Sequence, residues 1–112
     1  MKKIIFLLPL FLILVSACAN SNTSAKMTYY GSDSCPHCAK VQEYMDANDL
    51  WNKLAVEKKE IYKDQSNSLE FFNHAEKCGL VKDGSAAIPL LWTGETCVSG
   101  DVDIIEYFKT KL

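Results

Sequence analysis

The chain has 112 residues, 48% hydrophobic and 23% charged, with a net charge of −2 and five cysteines. That length holds one domain rather than two, and no internal repeat supports a solenoid or a coiled coil. All twelve basic residues are lysines, and from Cys18 onward ten lysines face fourteen acidic residues, which excludes the basic footprint of a nucleic-acid binder. The first element is a leader. Lys2 and Lys3 precede Ile4–Val15, an apolar run of twelve residues interrupted by Pro9, and small Ser16 and Ala17 follow. A membrane-spanning helix needs about 20 apolar residues, whereas twelve helical residues reach only about 18 Å. The pattern over 1–17 therefore suits a secretory signal peptide.

Val15-Ser16-Ala17-Cys18 resembles the lipobox of bacterial lipoproteins. The resemblance implies cleavage before Cys18, acylation of Cys18 and a membrane anchor, which more than one acyl chain makes stable. Residues 18–25 then read as a lipidated N-terminus and a flexible tether, since Ala19–Ala25 is small and polar. A domain over 26–112 would work within about 25 Å of the membrane. The expected location is the cell envelope, facing the periplasm or another oxidising extracytoplasmic space.

Lys26–Gly31 is a β-prone run ending in glycine. Ser32-Asp33-Ser34 supplies loop and capping residues, and Pro36 suits a first helical turn, so Cys35 is expected at a helix N-terminus. Val41, Tyr44, Met45 and Asn48 continue with helical spacing, and the pattern gives no clear boundary over 49–54. Val56–Tyr62 is heavily charged, as an edge strand can be. A helix is expected over Ser66–Cys78, with a Ser or Asn cap and Leu69, Phe72 and Ala75 on one face. Gly79-Leu80 matches a glycine C-cap. Ala86–Thr93 reads as a short strand with Pro89 near its start, Gly94-Glu95 as a hairpin turn, and Thr96–Val98 as the returning strand. Asp101 is expected to cap a last helix with Ile104, Ile105, Phe108 and Leu112 on its apolar side. The aromatic residues Phe71, Phe72, Trp92 and Phe108 are expected in the core.

With Cys18 set aside, Cys35, Cys38, Cys78 and Cys97 allow three pairings. The Cys-Pro-His-Cys unit favours Cys35 with Cys38. Cys78 and Cys97 then form a second bridge or stay free, and an even count in an oxidising compartment favours the bridge.

The order βαβαββα, with Cys35-Pro36-His37-Cys38 opening the first helix, Ile88-Pro89 before the third strand, Gly94 in the hairpin and Ser99-Gly100-Asp101 before the last helix, resembles the thioredoxin fold at glutaredoxin size. The resemblance implies an α/β domain with a four-stranded mixed sheet and helices on both faces. It also implies a thiol–disulfide oxidoreductase without cofactor or metal, acting on exported protein thiols or disulfides as a monomer. A redox partner protein or glutathione would exchange electrons with it. Cys35 would be the nucleophile, its anion favoured by free N–H groups and the helix dipole, and Cys38 would resolve the mixed disulfide. Pro36 starts the helix without wasting a donor, and His37 can stabilise the thiolate. The Pro-His pair is similar to that of periplasmic thiol oxidases. Pro89 is expected in the cis form, facing the cysteines, with the Ile88 backbone able to pair with an extended client. Ser99, Gly100 and Asp101 resemble the segment that holds the glutathione carboxylate. However, Ser99 replaces one of that family's two glycines, Asp101 adds a negative charge, and Ser32 stands where glutaredoxins carry a lysine.

Two other functions use the same residues. Cys35 and Cys38, with His74 and Cys78 at i,i+4, supply a zinc- or copper-type ligand set. Alternatively, a Cys35–Cys38 bridge only staples a non-catalytic interaction domain.

Overall fold

Thr28, Tyr29 and Tyr30 form the first strand, β1 (Thr28–Gly31), buried along its whole length, in a computed structural model that describes residues 26–112. The leader over 1–17, Cys18 and the rest of the tether over 18–25 lie outside the described residues. Both faces of a central strand are covered here, which is why β1 shows no polar alternation. Cys35 is the N-cap of α1 (Pro36–Ala47), with Pro36 at its start. Asp49 then turns the chain with a left-handed backbone (φ 51°), and a one-turn helix, α2 (Leu50–Lys53), follows. The break over 49–54 thus brings Leu50 into the core and sets Trp51 edge-on to Tyr29, 5.4 Å between rings. Next come β2 (Glu57–Glu60), α3 (Gln65–Lys77), β3 (Leu90–Trp92), β4 (Cys97–Ser99) and α4 (Asp101–Lys109).

The sheet order is β2-β1-β3-β4. β1 runs parallel to β2 and antiparallel to β3, and β4 returns antiparallel to β3. The charged β2 is an edge strand, as its composition suggests. Alternation along β1 divides the core in two. Tyr29 packs with Val41, Met45, Leu50, Leu91, Ile104 and Phe108 on the face covered by α1 and α4. Tyr30 packs with Ile61, Phe71, Ala75 and Leu90 on the face covered by α3. The result is the expected α/β sandwich, a mixed four-stranded sheet with helices on both faces.

Four local expectations need correction. The cap of α3 is Asp64, whose carboxylate accepts from the Asn67 N–H at 3.0 Å, rather than a Ser or Asn. Leu69 does not share the buried face: it is 62% exposed. The helix is rotated because Asn67 Nδ2 donates to the Glu60 carbonyl at 3.0 Å and His74 meets the Tyr30 hydroxyl at 2.7 Å, so polar residues with partners occupy part of the inner face. Asp101 is the first residue of α4 rather than its cap; that position is taken by Gly100 at φ 91°, a left-handed value that glycine tolerates. Leu112 lies beyond the end of α4 and is exposed, leaving Ile104 and Phe108 as the buried anchors of that helix.

Register also gives the sheet two distinct ends. Thr28, Trp92 and Cys97 share the row where β1 begins. Tyr30, Leu90 and Ser99 share the row near its close, beside the loop that leads to Cys35. β2 and β4 run in the same direction as β1, so the segments following all three strands meet at the Cys35 end.

Candidate functional site

The loop from β1 to α1 is held by its own short side chains. The Ser34 N–H donates to Ser32 Oγ at 3.3 Å and the Cys35 N–H to the Ser32 carbonyl at 3.2 Å. The loop is also tied to the end of β2: the Asp33 N–H donates to Glu60 at 2.8 Å, and Lys63 reaches the Asp33 carboxylate at 3.0 Å. Cys35 is therefore set on a braced turn. Its sulfur accepts the Cys38 N–H at 3.2 Å, the hydrogen bond that a capping side chain makes with the third residue of a helix. A partial negative charge on that sulfur is stabilised there by an otherwise unsatisfied donor. Both thiols are free, Cys35 half-exposed and Cys38 buried. Burial pushes the Cys38 thiol up to about 11, reinforced by Cys35 and opposed by the Ser32 N–H and the Tyr29 hydroxyl. One accessible sulfur and one protected, protonated sulfur suit an attacking and a resolving thiol.

The segments just before β3 and just after β4 complete the site. Ile88–Pro89 is cis, Pro89 is buried, and continuing the β1–β3 register places it beside Gly31, just ahead of the cysteine loop. The Gly100 N–H donates to the Pro89 carbonyl at 3.0 Å, so Ile88, Pro89, Ser99 and Gly100 form one neighbourhood. Asp101 joins it to the cysteine motif. Its carboxylate lies 3.3 Å from His37 Nδ1 and 3.7 Å from Lys40 Nζ. A hydrogen bond from His37 holds the Asp101 carboxyl below its ordinary value. Partial desolvation opposes this, while the Val102 N–H and the nearby charges assist. The carboxylate is thus turned to His37 and Lys40.

No family profile matches the chain, and no curated protein does. Among solved structures, glutaredoxin 1 from Francisella tularensis, complexed with cacodylate, aligns over 77% of this chain and 94% of its own, with a TM-score of 0.52 and 16% identity. The chain has a glutaredoxin-like thioredoxin fold. Within that fold, Tyr29, which the sequence shows only as one residue of the β-prone run Lys26–Gly31, adjoins the cysteine pair. Its hydroxyl donates to the Cys38 carbonyl at 3.3 Å in the buried interior, and Gln42, one turn beyond Cys38, lies beside it. The available signal was a strand tyrosine two residues before a glycine, on the face turned toward the first helix.

The four-ligand metal set is not brought together. Cys78 is bonded to Cys97, with the Cα atoms 6.1 Å apart. His74 is engaged by Tyr30 and stacks on Trp92 at 4.2 Å, and burial holds its imidazole below the ordinary value against the pull of Glu70. Among the described residues no group of three or more His, Cys, Asp or Glu side chains is placed to hold a metal ion.

The two aspartates bracketing the site give the thioredoxin fold a pH signature. A hydrogen bond from Lys63 and its charge hold Asp33 below the ordinary 3.8, as His37 does for Asp101. Above 3.8 both are ionised in folded and unfolded chains and their pairing stabilises the fold. Below it the unfolded chain takes up protons first, so stability falls as pH drops through the folded values. An Asp33→Asn/Asp101→Asn chain should therefore show a flatter decline of its urea midpoint below about pH 4. Parallel declines in the two chains would mean that these pairings contribute nothing.

Proposed function

We propose that the chain is an exported, membrane-tethered thiol–disulfide oxidoreductase that exchanges disulfides with envelope proteins through Cys35 and Cys38. The observation that carries this reading is the pair itself: an accessible sulfur at a helix N-terminus, hydrogen-bonded by the backbone of the buried second cysteine, on a glutaredoxin-like fold. Cys35 as thiolate attacks one sulfur of a client disulfide. The electron pair of the broken bond leaves on the client's other sulfur, and Cys38 then displaces the client from Cys35. His37, held by Asp101, stands beside the first step, and the Ile88–Pro89 segment offers backbone to an extended client. Asp101 favours a protein client over glutathione, since its carboxylate, turned toward His37 and Lys40, would face the carboxylate of glutathione. Export and tethering rest on the Lys2-Lys3 leader and the Val15-Ser16-Ala17-Cys18 tetrapeptide.

Equilibration with glutathione buffers of graded composition, followed by thiol trapping, tests the proposal. A reversible two-electron transition confined to Cys35 and Cys38 is expected. A potential toward about −120 mV marks an oxidase, and one below about −230 mV a reductase. Absence of any reversible transition overturns the oxidoreductase reading.

A further inference from the structure

Tyr29 is completely buried, yet it carries a hydroxyl into an apolar core that Phe would fill equally well. Its ring runs forward along β1. A Cβ at residue 31 would meet the Tyr29 hydroxyl at 2.7 Å and its ring at 2.8 Å, so Gly31 is what lets the phenol reach α1. There the hydroxyl donates to the Cys38 carbonyl at 3.3 Å. Gln42 follows Cys38 by four residues and so lies on the same helical face. Its Oε1 accepts from Lys58 Nζ at 3.1 Å. Lysine has no acceptor, so the amide orientation is fixed with Nε2 pointing inward. That Nε2 is buried beside the Tyr29 hydroxyl, yet it meets no acceptor in full hydrogen-bonding geometry. A buried orphan donor is costly, and its place beside the resolving cysteine calls for an explanation.

We infer that Tyr29 and Gln42 are positioning residues for the resolving step, forming a relay of donors that is completed when the Cys38 sulfur becomes an anion. In the resting dithiol the Tyr29 hydroxyl serves the Cys38 carbonyl. When Cys38 ionises, the hydroxyl turns to its sulfur, and the phenolic oxygen then accepts from the waiting Gln42 amide. The Ser32 N–H completes the set around the thiolate. The relay stabilises the anion more than the thiol, the differential interaction that speeds a step rather than merely tightening a ground state. The buried phenol itself stays protonated: burial first, and the Cys38 charge next, push it well above the ordinary tyrosine value, while Gln42 pulls the other way. Tyr29 is thus a donor to the sulfur and does not serve as the base.

The step balances as follows. Cys38 gives its proton to solvent, and its sulfur electron pair forms the Cys35–Cys38 bond. The bond between Cys35 and the client breaks, its electron pair leaves on the client sulfur, and that sulfur takes a proton. The pair is oxidised by two electrons, and the client disulfide is reduced.

This inference rests on the oxidoreductase reading for its purpose, although its core can be measured without a client. In a Cys35→Ser background, the β-carbon NMR shift of isotope-labelled Cys38 reports its ionisation. Tyr29→Phe keeps the ring and should move that titration up by about one pH unit, a tenfold loss of thiolate at a given pH. Gln42→Met, nearly the same shape, should move it in the same direction by less. In the Cys35-intact chain, Tyr29→Phe should slow release of a preformed mixed disulfide by about the same tenfold, leaving the alkylation rate of Cys35 unchanged. An unmoved Cys38 titration in both variants overturns the relay, whatever the exchange activity. Equal slowing of the Cys35 and Cys38 steps overturns it too, because the effect would then be a general disturbance of the helix start. Failure of the parent chain to release any client would count against the oxidoreductase reading alone.

Discussion

A Cys35→Ser chain is expected to lose disulfide exchange by about 10³-fold or more, while a Cys38→Ser chain should keep the first chemical step and accumulate a covalent complex with its client. The asymmetry follows from burial. Cys35 is the only one of the two sulfurs that a bulky disulfide can reach in line, and removal of a nucleophile leaves no other group to form the intermediate. Cys38 is fully buried and mostly protonated near neutrality, since burial pushes it up to about 11. It is slow to react with an outside disulfide, but it needs no diffusion to reach a sulfur already bonded to Cys35. Non-reducing electrophoresis and mass spectrometry of extracts from cells carrying each variant make the comparison. Adducts are expected through Cys35 in the Cys38→Ser chain and none in the Cys35→Ser chain. Equal trapping by both variants, or retained exchange in Cys35→Ser, would sink the assignment of roles.

Much of this site is legible in the sequence, because it is written in local patterns. Pro36 after an extended N-cap residue is a helix start that the chain announces over a few positions, and the cysteine spacing within that turn does the rest. The Ile88-Pro89 strand start and the Gly94 turn are also short-range signals. Where the sequence misled, long-range partners decided. Leu69 has the spacing of a core residue, yet α3 turns it outward because Asn67 and His74 find acceptors and donors on the sheet. Asp101 has the chemistry of a cap, yet its carboxylate is drawn away to His37 and Lys40 on a helix 64 residues earlier in the chain. Tyr29 shows the same limit: nothing within its own strand says that its hydroxyl has a partner on α1. Spacing reports which face a residue occupies; polar pairing across elements is invisible to it.

Breaking the Cys78–Cys97 bridge has the other large effect, on stability rather than chemistry. The bridge joins the C-cap of α3 to the first residue of β4, in the row where β1 begins and therefore away from Cys35. Between its two cysteines run residues 79–89, whose described structure has no strand or helix beyond the Lys82–Ser85 bridge, and then the β3–β4 hairpin. With a sequence separation of 19, tying the ends of this loop in the unfolded chain removes conformational freedom equivalent to about 3 kcal/mol. That is a large share of what so small a domain can hold in reserve. A Cys78→Ser/Cys97→Ser chain should therefore melt lower by about 15 °C. The α3 end is secured by other means as well: the Leu80 N–H closes on the Ala75 carbonyl at 2.9 Å and the Gly79 N–H on Glu76 at 3.0 Å, and Phe71 and Ala75 remain in the core. The variant should consequently still fold in the cold and retain exchange through Cys35 and Cys38. Calorimetry with an exchange assay well below the melting range separates the two effects. A melting point within about 2 °C of the parent, corresponding to less than about 0.5 kcal/mol, would show that the loop is held by its packing and that the bridge adds nothing. Loss of exchange in a chain that is still folded would instead make Cys78 and Cys97 part of the redox pathway, feeding electrons to or from the Cys35 end.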